Sequence, residues 1–172
     1  MPIVRIIYEK KGPAKFISAN YISKIFERSL RRLYIPLEFS SGYTHRVKMS
    51  LGPPLAVGIS GTNEIIDVHL VNRQIESCEI VENLNKILPD GLKVVDCYYL
   101  KDNEKSPPAI KSACYTIKIS DKKNFEILES WKIIFQSNEF IEIEIPLEKL
   151  KHKQLFEIFG SNNVISRRLI FL

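Results

Sequence analysis

VRIIYEKKGPAKFISANYISKIFERSLRRL, residues 4–33, sets a period-two pattern and a helical pattern on either side of one Gly-Pro turn. Val4, Ile6 and Tyr8 alternate with Arg5, Ile7 and Glu9, which predicts a first strand ending near Gly12-Pro13. Ile22, Ile25, Phe26, Ser29, Leu30 and Leu33 then recur at three-four spacing, so a helix starts after Ser18 or Asn20 with that face inward. Pro36 is expected to end it. Its other side carries Lys24, Glu27, Arg28, Arg31 and Arg32.

Outward from this unit the alternation continues. Ser40 to Arg46 is turn-rich and leads into an expected short strand, Val47 to Leu51, stopped by Gly52-Pro53-Pro54. Glu64 to Val71 fits a strand with Ile66, Val68 and Leu70 on one face and Asp67 and His69 on the other. Ser77 is placed to cap a helix with apolar Ile80, Val81, Leu84, Ile87 and Leu88, and Gly91 supplies a left-handed stop before a strand at Leu92 to Leu100. The order is β-α-β-β-α-β, the ferredoxin-like arrangement, over residues 1–100. Residues 101–112, with Pro107-Pro108, read as a linker.

A smaller ferredoxin-like half is expected over 113–172: a strand at Ala113 to Ile119, a helix around Asn124 to Trp131, and a strand at Ile133 to Gln136. Phe140 to Ile145 alternates Ile141, Ile143 and Ile145 with Glu142 and Glu144, a half-buried strand with an acidic outer face. Pro146 then suits the first position of a helix holding Leu147, Leu150, Leu155, Phe156 and Phe159, stopped by Gly160 before a strand at Ile165 to Leu172. The expected class is α+β, two such halves with mainly antiparallel sheets and helices packed on one side.

Composition bounds the function. The 172 residues are 45% hydrophobic and 26% charged, enough for a core without disulfides or metal. Cys78, Cys97 and Cys114 are an odd number at wide spacings, read as core residues rather than a redox or metal framework. The longest uncharged stretch, Met49 to Asn63, is broken by Gly52, Pro53, Pro54, Gly58 and Gly61, which bars a spanning helix. The first residues show no secretory signal, so a cytoplasmic protein without membrane contact is expected. Phosphate-loop, dinucleotide, zinc-protease, Cys-x-x-Cys and nucleophile-elbow motifs are missing, so no cofactor and no metal are expected.

Charge is placed unevenly. Residues 1–50 hold ten Lys/Arg against Glu9, Glu27 and Glu38, a net +7, against +5 for the whole chain. Lys24, Arg28, Arg31 and Arg32 stand at i, i+4, i+7 and i+8, one stripe suited to a row of phosphates. The same stripe also reads as a solvated face on which Glu27 bonds Arg31. The neighbouring loop tips the balance toward binding. Tyr43, His45, Arg46 and Lys48 set a ring, an imidazole and two cations beside Gly42, what unpaired nucleotides require for stacking and charge. Lys15, in the turn before the helix, joins these nucleic-acid-binding candidates.

His45, His69 and His152 lack ligand spacing. His45 alone is a candidate acid or base, with Arg46 and Lys48 to stabilise a phosphorane-like charge. Asp67 and Glu64 read either as paired carboxylates or as solvated strand positions.

An ordered series of blocks over about residues 4–70 resembles a known family. Gly12-Pro13-Ala14-Lys15-Phe16-Ile17-Ser18, Phe26-Glu27-Arg28-Ser29-Leu30-Arg31-Arg32, Ile35-Pro36-Leu37, Phe39-Ser40-Ser41-Gly42-Tyr43, Lys48-Met49-Ser50 and Pro53-Pro54-Leu55-Ala56-Val57-Gly58 resemble the radical SAM-linked domain of unknown function. The resemblance implies a free-standing protein or one fused behind a radical SAM enzyme, with a radical SAM protein or an E/G-type ribonuclease as partner. Two places depart from the family. Ser18-Ala19-Asn20-Tyr21 stands where members read Ser-His-Leu-Asp, and Gly42-Tyr43-Thr44-His45-Arg46-Val47-Lys48 stands where they read Gly-Phe-Asn-Pro-His-Pro-Lys. The family histidine thus falls on Arg46, which favours binding over catalysis.

The expectation is an RNA-binding or adaptor domain with no chemistry of its own. Two alternatives stand beside it: a metal-independent endoribonuclease resembling CRISPR-repeat processing enzymes, and a protein–protein scaffold that uses the Glu142/Glu144 face and the basic first third.

Overall fold

The computed structural model describes residues 1–102, 104–119, 131–149, 152–160 and 162–171. β1 (Ile3–Lys10) follows its alternation: Val4, Ile6 and Tyr8 enter one core with Ile22, Phe26 and Leu30 of α1 (Ala19–Arg32). The Tyr8 and Phe26 rings lie 5.0 Å apart at a tilt of 56°, an edge-biased contact that aromatic quadrupoles favour. Burying side chains of this size contributes about 1.5–3 kcal/mol each, which holds the amphipathic helix on the sheet.

Pro36 does not end α1. The helix stops at Arg32, where the Ile35 amide donates to the Leu30 carbonyl (3.3 Å) and the Tyr34 amide to the Arg31 carbonyl (3.1 Å). These are the paired bonds of a Schellman motif, completed by the buried apolar residues Leu30 and Ile35. Tyr34 occupies its left-handed position, with φ of 54°.

Beyond the 40–46 loop, β2 is shorter than expected, Met49–Leu51, and Val47 makes only an isolated bridge to Phe39. β3 (Ser60–His69) starts four residues before the expected Glu64. α2 (Ser77–Ile87) is preceded by Glu76 in extended backbone, so Ser77 is its first residue and not its cap. Gly91 (φ +88°) turns the chain into β4 (Leu92–Tyr99), and a Cβ there would meet the Lys11 carbonyl oxygen at 2.3 Å.

β5 (Ile110–Lys118) begins before the expected Ala113. The helix expected around Asn124 to Trp131 lies outside the described residues except Trp131, which is buried and not helical. β6 (Lys132–Gln136) follows. β7 (Phe140–Pro146) has the expected alternation, with Ile141, Ile143 and Ile145 buried. Pro146 ends this strand rather than opening a helix. β6 pairs no further along β7 than Glu144, so the missing proline amide interrupts no bond to that neighbour. A 3-10 turn, Leu147–Lys149, precedes α3 (His152–Phe159), and Gly160 (φ +80°) leads to β8 (Val164–Phe171).

One eight-stranded sheet results, in the order β4-β1-β3-β8-β5-β7-β6, with β2 also on β3. Every pairing is antiparallel except β3 with β8, which meet in parallel at Ser60–Ser166 and Gly61–Arg167. The protein is therefore α+β, with a mostly antiparallel sheet and three helices among the described residues. A second core gathers Tyr115, Ile117, Ile143, Leu155 and Phe159 with Leu55 and Ile65 from the first half.

Two buried ion pairs fasten this arrangement. Arg5 grips Asp67 across the β1–β3 register with Nε–Oδ1 of 2.7 Å and Nη2–Oδ2 of 2.8 Å, and donates to the Lys105 carbonyl at 2.9 Å. Arg167 grips Glu64 and donates to the carbonyls of Pro53 (2.7 Å) and Pro54 (3.2 Å). Asp67 and Glu64 are thus neither a carboxylate pair nor solvated strand positions. Each is buried and neutralised by its own arginine, the geometry that makes burial of charge tolerable.

Candidate nucleic-acid interface

The inward stripe of α1 fixes what points outward. With Ile22, Phe26, Ser29 and Leu30 buried, Tyr21, Lys24, Arg28, Arg31 and Arg32 are exposed along the solvent side. The side chains of Arg28 and Arg32 form no hydrogen bond or ion pair with the described residues. Arg31 is different. Its Nε and Nη2 donate to Glu27 Oε1 at 3.1 and 2.7 Å, and its guanidinium lies 4.8 Å from the centre of the Phe39 ring. The Glu27–Arg31 bond of the solvated-face reading is present, and the Arg31 charge is shared with a carboxylate and a ring.

That contact also locates the loop. Phe39 stands at the entrance of the 40–46 loop, so the loop hangs beside the C-terminal end of α1. Ser40 holds it closed: its amide donates to the Arg46 carbonyl at 2.8 Å, its hydroxyl to the Thr44 carbonyl at 3.3 Å, and it accepts from the Arg46 amide at 3.2 Å. His45 Nδ1 donates to the Ser40 carbonyl at 3.1 Å, which leaves Nε2 as the acceptor of a neutral ring. Tyr43 is fully exposed at the tip, and Arg46 is exposed without a side-chain partner among the described residues.

Lys48 points elsewhere. Its Nζ bonds Glu38 Oε1, and Glu38 Oε2 lies 3.8 Å from His69 Nδ1. Backbone ladders bring these three together: Glu38 donates to His69, His69 to Lys48 and Lys48 to Glu38, all at 2.9–3.0 Å. The Lys48 hydrogen bond holds the Glu38 carboxyl below its ordinary range, against the opposing effect of burial. Lys15 lies before the start of α1, its Nζ 5.0 Å from the Phe16 ring. The helix between is roughly 20 Å long at 1.5 Å per residue, so Lys15 sits far from the 40–46 loop.

The sequence reading passed over most of the rings. Phe16, Tyr21, Tyr34 and Phe39 are all exposed, and Lys24 Nζ lies 5.2 Å from the Tyr21 ring. Large rings at positions outside the apolar stripe of α1 and just past its end were the available signal. Tyr21 with Lys24 and Arg28 along α1, and Tyr34 and Phe39 with Arg31 and Arg32 at its C-terminal end, set exposed rings beside cations, an arrangement able to meet phosphates and to stack.

Among the described residues no group of three His, Cys, Asp or Glu gathers to hold a metal. His152 begins α3, away from this surface in sequence. Cys97 and Cys114 are buried as expected, whereas Cys78 is exposed. A cavity of about 460 Å³ lies elsewhere, lined by Arg5, Ile7, Tyr98, Lys105, Pro108 and Phe171. No helix among the described residues is long and apolar enough to cross a membrane.

Fold and surface define an α+β protein with a cationic and aromatic face on its first third. The chain belongs to the family described as an uncharacterized protein conserved in bacteria, DUF2344, whose family model matches residues 4–158. A search of curated proteins gave no match.

Proposed function

We propose that this protein is a cytoplasmic RNA-binding or adaptor domain that does no chemistry itself. The reading rests on the exposed rings of Phe16, Tyr21, Tyr34, Phe39 and Tyr43, interleaved with Lys24, Arg28, Arg32 and Arg46 over a single third of the chain. Rings left in water with cations beside them suit unpaired bases and their phosphates, and suit a duplex less well. A radical SAM protein or an E/G-type ribonuclease is the proposed partner, a proposal supported by the sequence resemblance alone.

The ferredoxin-like reading of both halves belongs with this proposal. Its support is the strand order: β2 lies on β3 in β4-β1-β3, and β8-β5-β7-β6 repeats the same sequence of positions. One observation favours the endoribonuclease as a second reading: Ser40 fixes the tautomer and orientation of His45 beside Arg46. The experiment for the main reading is titration of a labelled single-stranded RNA at several salt concentrations. Absence of saturable binding at low salt overturns it.

A further inference from the structure

Tyr34 is the only non-glycine residue with positive φ among the described residues, at 54°. It fills the left-handed position of the Schellman motif that ends α1, where a Cβ crowds the following carbonyl and glycine is the favoured residue. The tyrosine side chain gains nothing visible from the fold. It is 92% exposed, and it makes no hydrogen bond or ring contact with the described residues. Neither backbone preference nor packing selects a tyrosine here.

Its surroundings do supply a use. Arg31 and Arg32 precede it in the last turn of α1, Phe39 lies under Arg31, and Tyr43 tops the loop alongside. We infer that Tyr34 is a base-stacking residue of the proposed RNA surface, and that this surface takes single-stranded RNA. The inference rests on the reading above and sharpens it. A free ring face can stack only on a base whose own face is free, which a duplex interior does not offer. Arg32, without a partner among the described residues, is placed to meet the adjoining phosphate.

The test compares wild type, Tyr34→Gly, Tyr34→Phe and the Arg28→Ala/Arg32→Ala double variant. Each is titrated by fluorescence anisotropy against a labelled oligouridine of about a dozen nucleotides and an RNA duplex of equal length, and each is melted. Tyr34→Gly should melt above wild type, because glycine relieves the left-handed strain, yet bind oligouridine roughly five- to a hundredfold more weakly. Its duplex affinity should stay within about twofold, and Tyr34→Phe should bind oligouridine like wild type. A higher melting temperature beside the lost affinity excludes misfolding as the cause.

Unchanged oligouridine affinity in Tyr34→Gly, with loss in the arginine pair variant, overturns the stacking role while the RNA reading stands. Duplex binding as tight as oligouridine binding overturns the single-strand assignment. Wild type that binds neither probe overturns the RNA reading and this inference with it, and leaves Tyr34 to a protein contact.

Discussion

The Arg167 guanidinium of β8 is clasped by the Glu64 carboxylate of β3, Nη2–Oε2 at 2.6 Å and Nε–Oε1 at 3.1 Å, with both side chains buried. It lies where β3 and β8 meet in parallel over only two residue pairs. So short a ladder contributes few backbone bonds, and the ion pair with its two proline carbonyls fixes the junction. Removing one partner strands a buried charge. Arg167→Met should therefore cost roughly 3–5 kcal/mol in urea unfolding, whereas Arg167→Met with Glu64→Leu should recover much of it. Equal losses in the single and double variants would show that the carbonyl bonds, and not the charge pair, hold the junction.

Alkaline pH should loosen the fold. Burial raises the Cys97 thiol from 9.0 to about 12 and the Tyr115 hydroxyl from 10.0 to about 12, and it raises Tyr8 as well. The folded chain keeps these protons after the unfolded chain has released them. Stability is therefore complete below the ordinary values and falls as pH rises toward about 12. Lys10 acts in the other sense, since burial lowers its pKa and its penalty fades as pH approaches 10.5. Thermal melts should show a net decline beginning near pH 9, and Cys97→Ala should make that decline shallower without moving its onset, because burial raises the Cys114 thiol as well. A flat profile through this range would contradict the burial of these groups.

On the acid side Glu38 contributes. Lys48 lowers its folded-state pKa, so the stability it contributes is present above its ordinary 4.5 and is lost as pH falls through the lowered value. Glu38→Gln should flatten the acid limb of the same melts. An unaltered limb would place the acid sensitivity in other carboxylates.

What the sequence made legible was local. The stripe Ile22, Phe26 and Leu30 and the alternation of Ile141, Ile143 and Ile145 each follow from one period, and both are buried as that period requires. The end of α1 was not legible, because its left-handed position holds Tyr34 rather than the glycine that signals a stop. Pro146 read from the sequence as a helix start, and tertiary pairing with Ser112 made it a strand end. The junction of β3 with β8 and the meeting of Glu38, Lys48 and His69 depend on contacts between distant segments, which no spacing encodes. Within the candidate site, the cations of α1 were visible as a stripe. Which of them keep free charge was not, since Arg31 is engaged partly by Phe39 across a turn.

Salt dependence separates these cations. Replacing Arg28, Arg31 and Arg32 together by Ala should reduce the slope of log affinity for single-stranded RNA against log salt by roughly 0.7 per lost phosphate contact. Most of that change should come from Arg28 and Arg32. Arg31→Ala alone should move the slope little, because its guanidinium is committed to Glu27 and Phe39. A slope unchanged in the triple variant would assign the whole stripe to solvation.

Nuclease chemistry should be absent. His45 has its Nδ1 bound to the Ser40 carbonyl, and His69 has its Nδ1 3.8 Å from Glu38 Oε2 at the base of the loop. Metal-independent RNA cleavage needs a base to take the 2′ proton and an acid to protonate the leaving oxygen, both within hydrogen-bond reach of one phosphate. Arg46, next to His45 in the loop, supplies charge but no transferable proton near neutral pH. In a single-turnover assay with mixed cellular RNA and EDTA, wild type should cleave no faster than His45→Ala. Cleavage that disappears on this one substitution would overturn the binding-domain reading. It would make His45 the acid or base, with Arg46 stabilising the phosphorane-like charge.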